Sequence, residues 1–233
     1  MRCYISSANP AALSTGNNLG FYKKKVIGLS SQIEGKFTPQ NPMRLWEYSK
    51  AIKAVHTRAR QLSAEDQLPH YLDIGCAGSP IPYIFRKMLD MDIECVDLKD
   101  CKDEFKAQGI YDTIEFHNEN FLEISEVKYD AITCISVLEH VSREEQDQIL
   151  KKAIRMLKSG GIFFLTVDSH QSGQKLCTSH ERTYTEKQIR DMAEIFCYED
   201  DVIFDDYYNP CESFVHHEGA NYNFTSMLFE KDL

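Results

Sequence analysis

Residues 71–80 read Tyr-Leu-Asp-Ile-Gly-Cys-Ala-Gly-Ser-Pro, and the reading of this stretch decides the fold. A short apolar run carrying an acidic residue passes into a turn of small residues, and the amphipathic run Ile81 to Leu89 follows. Small residues at a strand-to-helix turn let backbone N–H groups approach a polar ligand closely, where a Cβ would stand in the way. The pattern marks a nucleotide-type cofactor site. A nicotinamide fold would carry Gly-x-Gly-x-x-Gly here. The corresponding positions are Gly75, Ala77 and Pro80, a poor match.

Working outward, apolar runs recur at Tyr71–Ile74, Ile93–Val96, Thr113–Phe116, Ala131–Ile135 and Ile162–Val167. They are short, β-branched or aromatic, and lack strict alternation, as strands buried on both faces of a parallel sheet do. Between the last two, Ser142 and Glu145 form a capping box, Ile149, Leu150, Ala153, Ile154 and Leu157 recur at helical spacing, and Gly160 is the expected helix stop. Thr185 with Gln188 opens a further helix that ends near Phe196. Alternating strands and helices predict a doubly wound α/β sheet with its ligand at the carboxyl ends of the strands.

The residues after the glycine turn narrow the cofactor. Asp97 closes the second run about twenty residues on, where a carboxylate can accept from both hydroxyls of a ribose. The segment Phe116–Ile124 then places Glu119 and Asn120 after the third run, and Ser136 to His140 (Ser-Val-Leu-Glu-His) follow the fourth. Lys158-Ser-Gly-Gly leads into the fifth. In this combination residues 71–168 resemble the class I S-adenosylmethionine-dependent methyltransferases. Asp73 and Gly75 match the first motif; Ala77 and Ser79 replace its later glycines, with Gly78 between them.

The resemblance implies a Rossmann-like, seven-stranded sheet, mostly parallel with its last strand antiparallel, behind an N-terminal helical extension. It implies S-adenosylmethionine as cofactor and S-adenosylhomocysteine as product. Asp73, Gly75 and Gly78 would hold the methionine part, Asp97 the ribose, Asn120 or Glu119 the adenine, and Ser136 would lie near the sulfonium. Cys76 and Ala77 in the turn, Leu98 beside Asp97, and Tyr48 on the N-terminal helix complete the cofactor set. The reaction would place a methyl group on an oxygen or nitrogen of a small molecule, with His180 or His140 as the base. Three other readings stand beside it. One is a catalytically silent module that binds the cofactor or a partner. Another is a metal-assisted small-RNA 2′-O-methyltransferase, in which Glu139, His140 and His180 would hold the ion although Ser136 replaces the first glutamate. The third, an aminopropyl transferase, wants an aspartate-rich site after the fourth strand that only Glu139 approaches.

Composition bounds the rest. The chain has 233 residues and a formal net charge of −10, which argues against a nucleic-acid surface. The eight cysteines are scattered without a Cys-x-x-Cys pair and read as reduced core thiols of a cytoplasmic protein. No signal peptide or membrane-spanning run is evident. Residues 1–65 are expected to form an N-terminal arm and helices that cover the substrate, with residues 66–233 as the methyltransferase domain. Within the first part, Met1–Gly35 show no sustained period and are expected to be an arm or lid. From Pro42 the chain turns helical, with Leu45, Tyr48, Ile52, Val55, Ala59 and Leu62 on one face. The Arg-Leu-Trp-Glu-Tyr segment 44–48 is either packing or a cover for the cofactor.

Overall fold

The computed structural model describes residues 1–8, 18–33, 42–64, 66–77, 79–170, 183–204, 215–217 and 220–233. In chain order the elements are β1 (Arg2–Ser7), α1 (Asn18–Ser30), α2 (Pro42–Ser63), β2 (His70–Ile74), α3 (Ile81–Met88), β3 (Asp92–Val96), α4 (Lys102–Ala107) and β4 (Glu115–His117). There follow β5 (Tyr129–Ile135), α5 (Arg143–Met156), β6 (Leu157–Ser169), α6 (Glu186–Glu194), β7 (Val202–Phe204), β8 (Val215–His217) and β9 (Ala220–Glu230). The sheet order is β4-β3-β2-β5-β6-β9-β1-β7, with β8 paired to β9. Strands β2 to β6 are mutually parallel, and β9 runs antiparallel to β6. The order reverses between β2 and β5, so the crevice at their carboxyl ends is where such a sheet binds its ligand.

Two apolar layers sandwich the sheet. One joins it to α5 and α6 through Leu150, Ala153, Ile189 and Phe229; the other joins it to α1–α4 through Ile52, Ile84, Phe85 and Phe105. The stripe expected on α2 is buried throughout, from Leu45 to Leu62. Each large apolar side chain so buried contributes about 1.5–3 kcal/mol, far more than helix propensity, so packing holds α2 in place. Both capping boxes form, with Ser142 accepting from the Glu145 N–H and Thr185 from the Gln188 N–H.

The structure corrects four expectations. The sheet has nine strands rather than seven. Part of the difference comes from the N-terminus, where the expected arm begins as β1, wedged antiparallel to β9 and parallel to β7. Cys3 and Ile5 enter the core on one face of β1, and the Ser6 hydroxyl meets that of Ser226 at 2.8 Å on the other. The segment before residue 66 therefore supplies a strand to the same sheet. The third run starts later than expected, because Tyr111–Thr113 is a 3-10 turn and pairing begins at Glu115. Finally, Gly160 does not stop a helix. α5 ends at Met156, and Gly160 (φ +70°) lies inside β6, where the pairing with β5 jumps from Tyr129/Leu157 to Ala131/Ile162. The left-handed backbone there carries a bulge.

Candidate cofactor and acceptor site

The first turn is built on a glycine that nothing else can replace without cost. Gly75 has φ +70°, donates its N–H to the Val96 carbonyl at 2.8 Å, and would bring a Cβ within 2.3 Å of Val137. Ala77 and Ser136 also have positive φ, +39° and +51°. Non-glycine residues rarely adopt this region, and such strain gathers at binding sites. The Ala77 strain explains why related motifs place glycine in this turn. The Ser79 hydroxyl accepts from the Ile81 N–H at the start of α3, whose Pro80 cap offers no side-chain acceptor.

Asp73 and Asp97 flank this turn differently. Asp73 is buried; Thr133 donates to it at 2.6 Å and Tyr71 pairs with Thr133 at 2.5 Å. Thr133 has one hydroxyl proton, given to Asp73, so Tyr71 is the donor to Thr133. Burial pushes the Asp73 carboxyl up to about 7, against the hydrogen bond from Thr133. Asp97, at the end of β3, accepts from the Ala77 N–H and the Lys99 N–H, both at 2.7 Å, and so ties the two strand ends together. Leu98 beside it is 74 % exposed, an apolar side chain open at the rim of the crevice.

At the end of β4, the Asn120 side-chain oxygen accepts from the Leu122 N–H at 2.9 Å, closing a turn of its own. Glu119 is exposed and lies 3.6 Å from His117. On the opposite wall Tyr48 is buried on α2 and hydrogen-bonds the Ser79 side chain, and burial pushes its hydroxyl up to about 12. Thus Tyr48, Asp73, Gly75, Cys76, Ala77 and Asp97 surround one turn. Gly78 lies outside the described residues.

Beyond β5 lies a polar network that the sequence did not disclose. Glu47 is fully buried and accepts from Ser136 at 2.9 Å, from Thr166 at 2.5 Å and from Arg44 at 2.9 Å. Arg44 also donates to the Ser136 hydroxyl at 2.5 Å, and Thr166 accepts from the Ser136 N–H at 3.1 Å. The hydrogen bonds of this set run in one consistent direction onto the Glu47 carboxylate, which is what a buried charge requires. Burial alone would lower the Arg44 guanidinium, but Glu47 and its neighbours raise it further, so it stays charged; its face lies 5.0 Å from the Phe224 ring. Glu47 sits among Trp46, Tyr48 and Ser49, all buried. A charge inside an enclosed helical turn was the available signal.

The two catalytic candidates fare differently. His140 is exposed on the 3-10 turn Leu138–His140, just past Ser136. His180 lies outside the described residues. Glu139 is buried, burial raises its carboxyl well above the usual range, and its Oε2 has no hydrogen-bond partner among the described residues. Glu139 and His140 thus face apart. Among the described residues, the two groups whose ligand atoms converge within 4.8 Å are Cys76, Asp97, Cys101 and Glu94, Glu115, His117. Neither contains Glu139 or His140, and the third member of the metal alternative, His180, lies outside the described residues. Six cysteines, including Cys76 beside the turn, are buried free thiols. No described helix is long and apolar enough to cross a membrane.

A doubly wound sheet with a strained glycine turn, a carboxylate at the end of the next strand and a helix N-terminus between them defines a nucleotide-cofactor protein of the Rossmann-like class. Residues 72–165 match the profile of the methyltransferase domain family. The ubiquinone biosynthesis O-methyltransferase of Proteus mirabilis (strain HI4320) is 27% identical over 152 residues, covering 60% of this chain and 55% of that one. The chain thus spans about half the length of the curated relative it matches. The 1,6-didemethyltoxoflavin-N1-methyltransferase of Burkholderia thailandensis, solved with 1,6-didemethyltoxoflavin and S-adenosylhomocysteine, aligns with TM-score 0.52 and 15% identity over 97% of this chain and 91% of that one. The N-methyltransferase NodS of Bradyrhizobium japonicum WM9, in complex with S-adenosylhomocysteine, aligns with TM-score 0.52 and 14% identity over 89% and 98%. At such identity the structural matches speak for the fold. Residues 72–165 thus carry a methyltransferase domain, in a fold shared with S-adenosylmethionine-dependent methyltransferases, whose cofactor is S-adenosylmethionine. The residues around the turn fit it, since Gly75 leaves a cradle that a Cβ would fill.

Proposed function

We propose that the chain transfers the methyl group of S-adenosylmethionine to an oxygen or nitrogen of a small-molecule acceptor. The observation that carries this reading is the juxtaposition of the glycine turn with the Arg44, Glu47, Ser136 and Thr166 network across the switch point of the sheet. The relatives named as O- and N-methyltransferases support the choice of acceptor atoms. Asp73, Gly75, Cys76, Ala77 and Gly78 hold the methionine part, Asp97 and Leu98 the ribose side, and Asn120 or Glu119 the adenine. Bound cofactor supplies a methyl carbon already activated by its sulfonium, which leaves the protein to align the acceptor and exclude water. Ser136, anchored by Glu47 and Arg44, sets the floor of the crevice. Its own proton is committed to Glu47, so it positions rather than accepts. The acceptor's proton goes to His140 at the rim or to His180, imidazole being the side chain best suited to general-base work around neutral pH. The N-terminal half of α2 serves as the cover, with Tyr48 closing on Ser79. The buried free thiols support a reducing, cytoplasmic setting.

A silent cofactor-binding module is the second reading, favoured by Asn120, whose side-chain oxygen is already occupied by its own turn. One experiment separates the two. The purified protein is titrated with S-adenosylmethionine, S-adenosylhomocysteine and NAD, then incubated with methyl-labelled cofactor and panels of phenols, catechols, alcohols and amines. We expect binding of the sulfur ligands but not NAD, and label on oxygen or nitrogen of at least one acceptor. Binding without any transfer would favour the silent module, and absence of binding would sink both.

A further inference from the structure

On the far side of α2 from the cofactor turn lies a cleft of about 290 Å³, between the helix and strands β1, β6 and β9. That volume is at the lower end of what small-ligand sites enclose. Its floor is apolar, with Tyr4, Phe164 and Leu228, and it touches β6 only at Ile162 and Phe164, well before the carboxyl end that meets the cofactor crevice. Its rim carries three cations, Lys50, Lys53 and Arg58, against one acid, Glu230. In a chain of net charge −10 this local excess runs against the protein's own field.

Lys50 spends a proton on the Ser6 hydroxyl at 2.9 Å and lies 5.5 Å from the centre of the Trp46 ring. The Arg58 Nε is buried with no hydrogen-bond partner among the described residues. Its guanidinium is pressed against the β6 bulge, where a Cβ on Gly160 would come within 3.3 Å of Nη2. A guanidinium and two ammonium groups around an apolar floor match an anionic head on an apolar body.

We propose that this cleft is a second small-molecule site, separate from the cofactor and acceptor crevice, that takes an amphiphile with one carboxylate head and an apolar body. The carboxylate meets Arg58 and Lys53, and the body lies over Phe164 and Leu228.

The test uses the full chain saturated with S-adenosylhomocysteine, so that the cofactor crevice is filled. Octanoate, its methyl ester and 1-octanol are titrated by calorimetry into the wild type, Arg58→Met and Lys53→Glu. We expect saturable binding of octanoate but not of the neutral analogues, with affinity falling about tenfold or more in each variant. Lys53 is exposed, so its variant leaves folding intact even if Arg58→Met does not. Equal binding of octanoate and octanol, unchanged affinity in Lys53→Glu, or no saturable binding would each overturn the proposal. S-adenosylhomocysteine affinity, measured alongside, reads the cofactor site independently.

Discussion

Replacing Gly75 with alanine tests the architecture of the cofactor turn at its tightest point. At φ +70° an L-residue costs about 1–2 kcal/mol. The new Cβ would also lie 2.3 Å from Val137 Cγ2, so Val137 must leave its rotamer, at about 0.5–1.5 kcal/mol more. The sum is about 1.5–3.5 kcal/mol, which for a chain of this size lowers Tm by about 3–14 °C. A double-mutant cycle divides the two contributions. In a Val137→Ala background the Cγ clashes vanish and a 3.3 Å approach to Val137 Cβ remains, so Gly75→Ala should then cost only the backbone part, about 1–2 kcal/mol. The assay is denaturant unfolding of the four proteins, with S-adenosylhomocysteine affinity measured on each. Affinity should fall in Gly75→Ala because Val137 adjoins Ser136. A Gly75→Ala protein as stable as the wild type, or a cost unaltered by Val137→Ala, would refute the reasoning.

Three further outcomes are expected. Glu47→Gln should lower stability by about 2–3 kcal/mol, less than for a wholly buried pair because the Arg44 side chain is 37% exposed; a change within error in denaturant unfolding would mean the network contributes no stability. Asp73, held near 7 by burial, should lose its proton when a cationic ligand occupies the turn. S-adenosylmethionine affinity should then rise with pH and level off above about 7, with proton release seen as buffer-dependent heats below that; heats independent of the buffer would exclude this. The third concerns Glu94, which His70 meets at 2.6 Å, Tyr129 at 2.8 Å and His117 at 3.2 Å. Burial would raise its carboxyl, but these hydrogen bonds outweigh it and hold it at about 2, while the bond to Glu94 raises His70. The raised His70 stabilises below its unfolded value of about 6.5 and loses this as pH climbs through its folded value; Glu94 stabilises above about 4.5 and loses this on acidification. The stability lost in His70→Gln should therefore be largest between about pH 4.5 and 6.5, and a loss constant with pH would contradict the linkage.

What the sequence determined by itself was whatever is written in local pattern. The short apolar runs at 71–74, 93–96, 131–135 and 162–167 read as strands buried on both faces, and each lies within an observed strand. The capping boxes at Ser142 and Thr185 are i, i+3 devices and were legible for that reason, as was the stripe on α2. The turn at Asp73 to Gly78 and its spacing to Asp97 were equally readable, because a close backbone approach leaves its mark in small residues. The tertiary structure alone decided what depends on distant partners. Strand β1 spans six residues and pairs with a strand more than two hundred positions away, and so short a run carries too little period to announce itself. Gly160 looks the same in sequence whether it ends a helix or carries a bulge; the register of β5 against β6 chose the bulge. Arg44 and Glu47 read as one helical turn with two meanings until Ser136 and Thr166, far along the chain, came within hydrogen-bonding distance. A buried charge is set by what surrounds it in space, and only the packed sheet brings those partners together.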